Sequence, residues 1–262
     1  MQIAGYLKTS LIEWPGKISS VVFVPGCNFR CPFCHNADLA DPKRIRRLTL
    51  IPEEEIFKDL EKRKKWVDGI VVTGGEPTLQ TDLPKFLKSL KKMGFETMIE
   101  TNGSKPEVID KLLNRQMIDY IAMDVKGPLD QKYLEIVGYK KLNSKNQKHI
   151  ENIKKSVGLI SNSGIDFEFR TTVVPGMHDQ KILLKMAEEI KQLTVKQKLH
   201  TANCKLSTDS YHWCLQNFQP KNCLDPEFEK KKPFNNEELQ GFLKAVKKII
   251  PRVELRGTIN EK

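Results

Sequence analysis

Short apolar runs alternate along the chain with longer segments in which apolar residues recur every three or four positions. The runs are rich in β-branched residues and have the length of strands, whereas the longer segments have the periodicity of amphipathic helices. The predicted strands are residues 19–24, 69–73, 95–100, 120–125, 166–173 and 213–218. The predicted helices are residues 52–65, 82–93, 106–116, 149–162, 179–192 and 235–249. This alternation predicts an α/β fold of six β/α units with a parallel sheet.

The length and composition favour one domain. A chain of 262 residues that is 39% apolar can bury one large core, so we predict a single domain over residues 1–262. No apolar stretch approaches the roughly 20 residues that span a bilayer, and residues 1–6 lack the features of a signal peptide. We therefore expect a soluble, cytoplasmic protein with no membrane partner.

The net charge of the chain is +11, from 44 Lys and Arg against 33 Asp and Glu. Such a charge attracts nucleic acid, acidic proteins or phosphorylated substrates. Most of the excess is lysine that is scattered over the predicted helices. Where no aromatic residues separate the charges, this pattern favours a solvated basic face, so the charge serves only to rank partners.

The polar motifs of the chain follow the predicted strands. A cysteine-rich loop at residues 26–36 follows the first strand, Gly-Gly-Glu-Pro at residues 74–77 the second, and Glu-Thr-Asn-Gly at residues 100–103 the third. Asp124 and Lys126 follow at the end of the fourth. Functional residues of α/β folds gather at the carboxyl ends of the strands, so the motifs are expected to serve one function.

Three cysteines lie within eight residues of the first strand-end loop: Cys27, Cys31 and Cys34. Thiolates are soft ligands that suit iron–sulfur clusters or zinc better than hard cations, and an odd number of protein ligands leaves one metal position open. The alternatives are zinc with His35 as fourth ligand, a disulfide and a nucleophilic cysteine. Structural zinc usually takes separated ligand pairs, a disulfide needs an oxidising compartment, and a nucleophile explains one thiol of three.

Two glycines, Gly74 and Gly75, end the second predicted strand beside Glu76. Glycine lets the backbone approach a ligand that a Cβ would push away, and a carboxylate accepts hydrogen bonds from an ammonium group. An ordinary strand-to-helix turn is the alternative, because such turns also need glycine. The cysteine loop one β/α unit upstream favours the ligand-binding interpretation.

The Cys-x3-Cys-x2-Cys loop together with Gly-Gly-Glu-Pro resembles the radical S-adenosylmethionine superfamily. Longer matches extend this likeness: Gly-Cys-Asn-Phe-Arg-Cys-Pro-Phe-Cys-His-Asn, Thr-Gly-Gly-Glu-Pro-Thr-Leu-Gln, Glu-Thr-Asn-Gly, Tyr-Ile-Ala-Met-Asp-Val-Lys and Phe-Arg-Thr-Thr-Val-Val-Pro-Gly. They resemble the activating proteins of anaerobic ribonucleoside-triphosphate reductase and, more distantly, the pyruvate formate-lyase activating enzyme. The similarity runs over residues 1–257.

The resemblance implies a partial TIM-like barrel of six β/α units that holds a four-iron four-sulfur cluster on Cys27, Cys31 and Cys34. S-adenosylmethionine would chelate the open iron through its amino and carboxylate groups. One electron would then split the sulfonium into methionine and a 5'-deoxyadenosyl radical, which would take hydrogen from a glycine of the partner reductase. The implied electron donor is a protein such as flavodoxin or ferredoxin.

The resemblance also implies contacts to S-adenosylmethionine near the cysteine loop. The methionine ammonium would lie at Gly74, Gly75 and Glu76, and the adenosine beside Phe33 and Asn36.

Three charged residues on later strands complete the implied cofactor site. Asp124 and Lys126 would reach the ribose hydroxyls or the carboxylate, and Arg170 would pair with the carboxylate. The alternative is a purely structural network of charges at the strand ends.

Two further features follow from the resemblance. Glu100, Thr101 and Asp124 match positions at which related activases bind a monovalent cation, although Glu100 replaces the commoner Asp.

Glu13 would accept a hydrogen bond from a backbone N–H of the incoming glycine loop of the partner. For Glu13, a turn before the first strand is the alternative interpretation, given the following Pro-Gly pair.

A second cysteine group comprises Cys204, Cys214 and Cys223. Residues 194–210 are interpreted as an insertion relative to the family. The spacing of these cysteines is loose and spans a predicted strand, which favours ordinary thiols over an auxiliary metal site. Their role, and that of the insertion, is left unassigned, as are His178, His200 and His212.

Other functions remain open from the sequence. Pyruvate formate-lyase activase, 7-carboxy-7-deazaguanine synthase and RNA-modifying members of the superfamily share the same motifs. A zinc-containing nucleic-acid-binding module is the alternative outside enzymes, supported by cysteines and positive charge.

Overall fold

The computed structural model describes residues 1–139, 143–198 and 212–257. Its strands are β1 Gly5–Ser10, β2 Ser19–Val24, β3 Gly69–Gly74, β4 Glu96–Thr101, β5 Tyr120–Asp124, β6 Asp166–Val173, β7 His212–Asn217 and β8 Val253–Arg256. Its α-helices are α1 Ala37–Ala40, α2 Pro42–Ile45, α3 Glu53–Arg63, α4 Leu83–Lys92, α5 Pro106–Asn114, α6 Gln131–Ile136, α7 Ser144–Ser161, α8 Gln180–Lys198 and α9 Asn236–Val246. Short 3₁₀ helices lie at Pro77–Leu79 and Pro226–Lys230.

The described strands form one eight-stranded sheet in which the strand order follows the chain from β1 to β8. β1 is antiparallel to β2, whereas the pairs β2–β3, β3–β4, β6–β7 and β7–β8 are parallel. Parallel neighbours need a crossover, which the helices between the strands provide. The predicted α/β class is therefore confirmed. Within the described ranges, we find no helix that is both long and apolar enough to cross a membrane.

The chain divides into two compact units. Unit 1 comprises Met1–Asn28, Asn36–Thr101 and Glu107–Ala122, and unit 2 comprises Phe29–His35, Asn102–Pro106 and Met123–Lys262. Unit 1 contains β1 to β4 and the first residues of β5, and unit 2 contains the last residues of β5 and β6 to β8. The prediction of a single domain stays a prediction.

The six predicted strands all occur, but β1 and β8 were not predicted. Three successive residues of β1 are exposed, and β8 has four residues, two of them charged, so neither shows a clear apolar pattern. Helix α7 begins at Ser144 rather than at residue 149, because the side chain of Asn143 caps it by accepting a hydrogen bond from the Asn146 amide. The predicted insertion at 194–210 lies mostly outside the described residues.

Unit 1 is packed around the indole of Trp14, which is 2% exposed. The indole belongs to a cluster with Val21, Val71, Met98 and Ala122, one residue from each of β2 to β5. A Cβ on Gly69 would lie 2.6 Å from the indole, so the glycine at the start of β3 makes room for the ring. The segment before β2 is therefore anchored into the sheet by one aromatic side chain.

His178 connects the end of β5 to the loop after β6 in unit 2. Its Nδ1 accepts a hydrogen bond from the Val174 amide at 3.1 Å, and its Nε2 lies 3.0 Å from the carbonyl oxygen of Lys126. The neutral tautomer with hydrogen on Nε2 satisfies both partners. Burial lowers the pKa of His178 to about 4, outweighing the two backbone hydrogen bonds, so the ring is neutral at pH 7.

We expect Trp14→Ala to lower the free energy of unfolding by roughly 3 to 5 kcal/mol, because it leaves a cavity beneath four strands. Urea denaturation followed by circular dichroism measures the change. Trp66→Ala is the matched control: Trp66 is 73% exposed, and its loss should change the same quantity by no more than about 0.5 kcal/mol. Equal effects of the two substitutions would contradict the assigned role of Trp14.

A second prediction concerns pH. Because the pKa of His178 falls from 6.5 to about 4 on folding, the unfolded state binds more protons between these values. This group's contribution to stability is therefore present above pH 6.5 and is lost as the pH falls towards 4, by on the order of 3 kcal/mol. His178→Gln keeps one acceptor and one donor but does not titrate. We expect urea unfolding between pH 7 and pH 4 to show a smaller stability loss in the variant, and equal losses would refute this account.

Candidate active site

The turn after β3 lies against the backbone that leads into Cys27, within unit 1. The Gly75 amide donates to the Val24 carbonyl at 2.8 Å, and the Glu76 amide donates to the Gly26 carbonyl at 2.7 Å. A Cβ on Gly74 would lie 2.4 Å from the Val24 oxygen, and one on Gly75 would lie 2.1 Å from the Gly26 oxygen. Both glycines are thus required by the neighbouring backbone. Their predicted contact with a ligand stays a prediction.

Asn36 ties the end of the cysteine loop to the same turn. Its Nδ2 donates to the Gly74 carbonyl at 3.0 Å, and its own carbonyl accepts from the amides of Leu39 and Ala40 at the start of α1. The Leu39 carbonyl in turn accepts from the Gly26 amide at 2.8 Å. The predicted site residues Asn36, Gly74 and Gly75 are therefore brought together.

The carboxylate of Glu76 is fully buried in unit 1. Its Oε1 accepts from the Thr78 amide at 3.0 Å, from the Thr78 hydroxyl at 2.5 Å and from the Thr101 hydroxyl at 2.7 Å. Close by, the hydroxyl of Thr73 on β3 donates to Oε2 of Glu100 on β4 at 2.7 Å. Two acidic side chains and three threonines thus form an oxygen-rich group at the ends of β3 and β4.

Unit 2 holds the part of the cysteine loop that contains Cys31 and Cys34. The Cys34 amide donates to the Cys31 carbonyl at 3.1 Å, which closes a turn between the two cysteines. The loop is anchored at its start, where the Arg30 amide donates to the Val137 carbonyl at 2.9 Å beyond α6. Phe29 is buried edge-on against Tyr133. This part of the loop is thus positioned by backbone hydrogen bonds and by the packing of Phe29.

A partly exposed ion pair lies next to Cys31. Lys126 Nζ donates to Asp124 Oδ2 at 2.9 Å, and the lysine side chain is 18% exposed. Burial by itself lowers the pKa of Lys126, but the charges of Asp124 and Cys31 outweigh it and raise the pKa above its usual value. The lysine therefore stays cationic, and a cation beside a thiol favours the thiolate that binds metal.

The phenol of Tyr133 faces the same charges. The residue is fully buried, and no described residue supplies a hydrogen-bond partner for its hydroxyl. The backbone of Lys126 lies close enough to the phenol to lower the pKa of Tyr133 slightly. Burial, opposed by the charge of Lys126 and reinforced by Cys31, raises the pKa of Tyr133, so the O–H remains protonated. A buried donor of this kind fits a site whose acceptor is a bound group.

Arg170 is held in a buried charge network on β6 to β8. Its Nε donates to Glu168 Oε1, while Arg256 binds the same carboxylate through two nitrogens at 2.8 and 2.6 Å. Burial raises the pKa of Glu168, but Arg256 and Arg170 outweigh it and hold the pKa below its usual value. The sequence interpretation named Arg170 but missed Glu168, which orients it.

Glu168, His212 and Glu254 bring three potential metal-ligand atoms within 4.8 Å of one another, the one such acidic and histidine group among the described residues. Arg256 also donates to Glu254 at 2.7 Å, and His212 Nε2 lies 3.2 Å from the same carboxylate. The carboxylates are therefore already compensated by guanidinium groups. This arrangement fits an ion-pair network and not a metal site.

The predicted site residues fall into two sets. Unit 1 contains Glu13, Cys27, Asn36, Gly74, Gly75, Glu76, Glu100 and Thr101, and unit 2 contains Cys31, Phe33, Cys34, Asp124, Lys126 and Arg170. Phe33 is 4% exposed, and Glu13 is half-buried beside the anchored Trp14.

In the second cysteine group, Cys214 is buried in β7, where burial raises its pKa to about 12, and Cys204 lies outside the described residues. The sequence carried no signal for Tyr133.

Comparisons with known proteins identify the family. The model of the family described as "Radical SAM superfamily" matches residues 21–187. The chain is 36% identical over 259 residues, covering 98% of this chain and 96% of the relative, to a protein of Methanocaldococcus jannaschii named "Putative glycyl-radical enzyme activating enzyme MJ1227". It is 28% identical over 246 residues to the pyruvate formate-lyase-activating enzyme of Clostridium pasteurianum, covering 92% and 94%.

Solved structures show the same fold. Streptococcus suis SuiB bound to S-adenosylmethionine is 14% identical with a TM-score of 0.62, covering 90% of this chain and 52% of SuiB. TYW1 with a lysine-pyruvate adduct is 17% identical with a TM-score of 0.57, covering 88% of this chain and 74% of that chain. The chain spans about half the length of SuiB.

The matches confirm the predicted superfamily, the α/β fold of its type and the enzyme class. The superfamily's cofactors, a four-iron four-sulfur cluster and S-adenosylmethionine, are the cofactors of this enzyme. The chain thus belongs to the radical S-adenosylmethionine superfamily and, within it, to the glycyl-radical-enzyme activating enzymes.

Proposed function

We propose that this enzyme activates an anaerobic ribonucleoside-triphosphate reductase by generating a glycyl radical on it. The observation that carries the proposal is the contact between the Gly-Gly-Glu turn and the backbone that enters the cysteine loop. There the amides of Gly75 and Glu76 donate to Val24 and Gly26, directly before Cys27. This contact couples the turn assigned to the methionine end of the cofactor to the first cluster ligand.

Cys27, Cys31 and Cys34 would hold the cluster. When bound, the cluster would supply the electron for reductive cleavage of S-adenosylmethionine, and the cleaved cofactor would remove a hydrogen atom from the partner's glycine. The protein would position the cofactors and provide charged and polar groups beside them. Lys126 keeps a positive charge beside Cys31, and the hydroxyl of Tyr133 offers a buried donor near the same thiolate.

We assign the methionine ammonium to the turn of Gly74, Gly75 and Glu76. The buried carboxylate of Glu76 is oriented by Thr78 and Thr101, which restricts its side chain before a ligand arrives. Fixing acceptors in advance lowers the entropic cost of orienting the cofactor.

Phe33 and Asn36 are assigned to the adenosine. Phe33 is a buried aromatic side chain between Cys31 and Cys34, and Asn36 is fixed by its bond to Gly74. An aromatic ring and an oriented amide are suited to a flat, polar-edged base.

Asp124, Lys126 and Arg170 are assigned to the ribose and the carboxylate of the cofactor. All three side chains already have charged partners: Lys126 pairs with Asp124, and Arg170 pairs with Glu168. These ion pairs orient the side chains, but a bound ligand would have to compete with them. The pair of Lys126 and Asp124 offers both a donor and an acceptor, as a ribose and a carboxylate require.

A monovalent cation at Glu100, Thr101 and Asp124 is part of the proposal. Support comes from the oxygen-rich surroundings of the first two: Glu100 accepts from Thr73, and Thr101 donates to the buried Glu76. Hard oxygen ligands of this type are those that alkali cations use.

The partner would approach Glu13, whose backbone position is fixed by the neighbouring buried Trp14. The relative from M. jannaschii is named for glycyl-radical enzyme activation, which supports a protein partner of this class.

Electrons would come from flavodoxin or ferredoxin. Pyruvate formate-lyase is the second candidate partner, since the C. pasteurianum relative is named for its activation.

The partner is tested by hydrogen transfer. The anaerobically purified enzyme, reduced with dithionite, is mixed with reductase or with pyruvate formate-lyase, each labelled with deuterium at glycine Cα. With the reductase, we expect deuterium in 5'-deoxyadenosine and a glycyl radical in the electron paramagnetic resonance spectrum. With pyruvate formate-lyase, we expect neither signal. Radical formation on pyruvate formate-lyase alone would refute the choice of partner.

Two variants control this experiment. Cys31→Ala should abolish both signals and cluster absorbance, because it removes a cluster ligand. Cys214→Ala, which removes another buried thiol, in β7, should retain them. A brown, active Cys31→Ala protein would exclude the assigned ligands.

We expect Lys126→Met to weaken S-adenosylmethionine binding about tenfold, or about 1.4 kcal/mol, because it leaves Asp124 without its cation. Isothermal titration of the reconstituted, oxidised enzyme measures the dissociation constant. Lys126→Arg should recover part of the affinity. Lys185→Met removes a more exposed lysine that pairs with Asp130 and should leave the constant unchanged. Unchanged binding by Lys126→Met would exclude its contact with the cofactor.

A further inference from the structure

Helix α6 packs against the segment of the cysteine loop that leads into Cys31, within unit 2. The Val137 carbonyl, just beyond the helix, accepts a hydrogen bond from the Arg30 amide at 2.9 Å. A Cβ on Gly138 would lie 2.2 Å from the Arg30 carbonyl oxygen, so this close contact requires glycine. The rings of Phe29 and Tyr133 lie edge-on, with their centroids 6.3 Å apart. The side chain of Tyr133 is therefore held against the residues that precede Cys31.

The same helix also lies against the turn that follows β5. A Cβ on Gly127 would lie 2.5 Å from Ile136 Cδ1 and 3.7 Å from the Cα of Tyr133. Lys126 directly precedes this glycine, and Cys31 interacts electrostatically with both Lys126 and Tyr133. Two contacts, one with the cysteine loop and one with this turn, thus fix the position of the phenol.

The hydroxyl of Tyr133 is a buried donor without an acceptor among the described residues. Burial raises the pKa of Tyr133, and among the opposing effects the backbone of Lys126 lowers it. That backbone therefore acts as a donor towards the oxygen and does not accept the phenolic hydrogen. Burying a hydroxyl without an acceptor is costly, so the group calls for a partner inside the protein. Because water does not reach the oxygen, this partner must be packed against it.

We propose that the hydroxyl of Tyr133 donates a hydrogen bond to the thiolate of Cys31 when Cys31 holds the cluster, and thereby raises the reduction potential of the cluster. A protonated thiol accepts hydrogen bonds weakly, whereas a thiolate accepts them strongly. The donor is thus matched to the metal-bound form of the cysteine. The inference rests on the proposed assignment of Cys31 to the cluster.

The effect on the potential follows from charge. Reduction adds an electron to the cluster and makes its sulfur ligands more negative, so a hydrogen bond to one of them is stronger in the reduced state. Hydrogen bonds to the sulfurs are among the factors that set the potential of iron–sulfur clusters. Tyr133 is therefore a positioning residue, because it acts on the cluster through Cys31 and does not touch the substrate.

The test compares Tyr133→Phe with the parent after anaerobic reconstitution of the full-length chain, without S-adenosylmethionine. The substitution keeps the ring and removes only the oxygen. We expect equal iron content and a ratio of reduced to oxidised cluster that falls about tenfold at a fixed potential, or about 59 mV for one electron. A redox titration followed by electron paramagnetic resonance measures the midpoint potential. An unchanged midpoint potential with full iron content overturns the proposal.

Tyr139→Phe is the matched control. The ring of Tyr139 also lies edge-on to Phe29, at 6.2 Å, but its hydroxyl lies 2.9 Å from His149 Nε2. Its loss should leave the potential of the cluster unchanged. Urea unfolding of the cluster-free chains separates the two tyrosines further. Tyr139→Phe should lower the stability, whereas Tyr133→Phe should not, since it breaks no hydrogen bond within the described chain. A clear loss of stability in Tyr133→Phe would contradict the proposal.

The potential is measured without S-adenosylmethionine and without a partner, so its outcome is separate from that of the hydrogen-transfer experiment. A lower potential in Tyr133→Phe supports the role of Tyr133 whichever glycyl-radical enzyme proves to be the partner. An unchanged potential combined with weaker binding of S-adenosylmethionine would assign the hydroxyl to that cofactor and refute the contact with Cys31.

Discussion

The close approach of two backbones at the ends of β2 and β3 is the constraint on which the site depends. The amides of Gly75 and Glu76 bond to the carbonyls of Val24 and Gly26, at distances that leave no room for a Cβ on the turn. Glycine is therefore required at positions 74 and 75 because the neighbouring backbone lies too close for a Cβ. This contact places the turn directly beside the residue that precedes Cys27, so Cys27, the proposed first cluster ligand, and the Gly-Gly-Glu motif are positioned together.

Charge compensation is the second organising feature. In unit 2 the buried carboxylate of Glu168 is neutralised by Arg170 and Arg256, and Lys126 is paired with Asp124. Burying charges is costly unless each has a partner, so these side chains have little freedom to rearrange. Such restriction suits a site that must hold a charged cofactor in one orientation. It also explains why the acidic group around Glu168 does not act as a metal site.

The cysteines illustrate how position along the chain differs from position in space. Cys223 is separated from the cysteine motif by more than 180 residues, yet its loop contacts the cysteine loop, where the Asn222 side chain donates to the His35 carbonyl. Burial, together with the negative charge of Glu229, raises the pKa of Cys223.

The sequence by itself determined the α/β class, the six inner strands, the cysteine motif and the superfamily, because apolar periodicity and motif spacing are local properties of a chain. It also located Asp124 and Lys126 at the end of one strand and Arg170 on another. Only the tertiary structure decided that β1 and β8 join the sheet, that Arg256 shares the Glu168 carboxylate with Arg170 and that Tyr133 presents a buried hydroxyl. These features depend on packing between segments far apart in sequence, which no local pattern records.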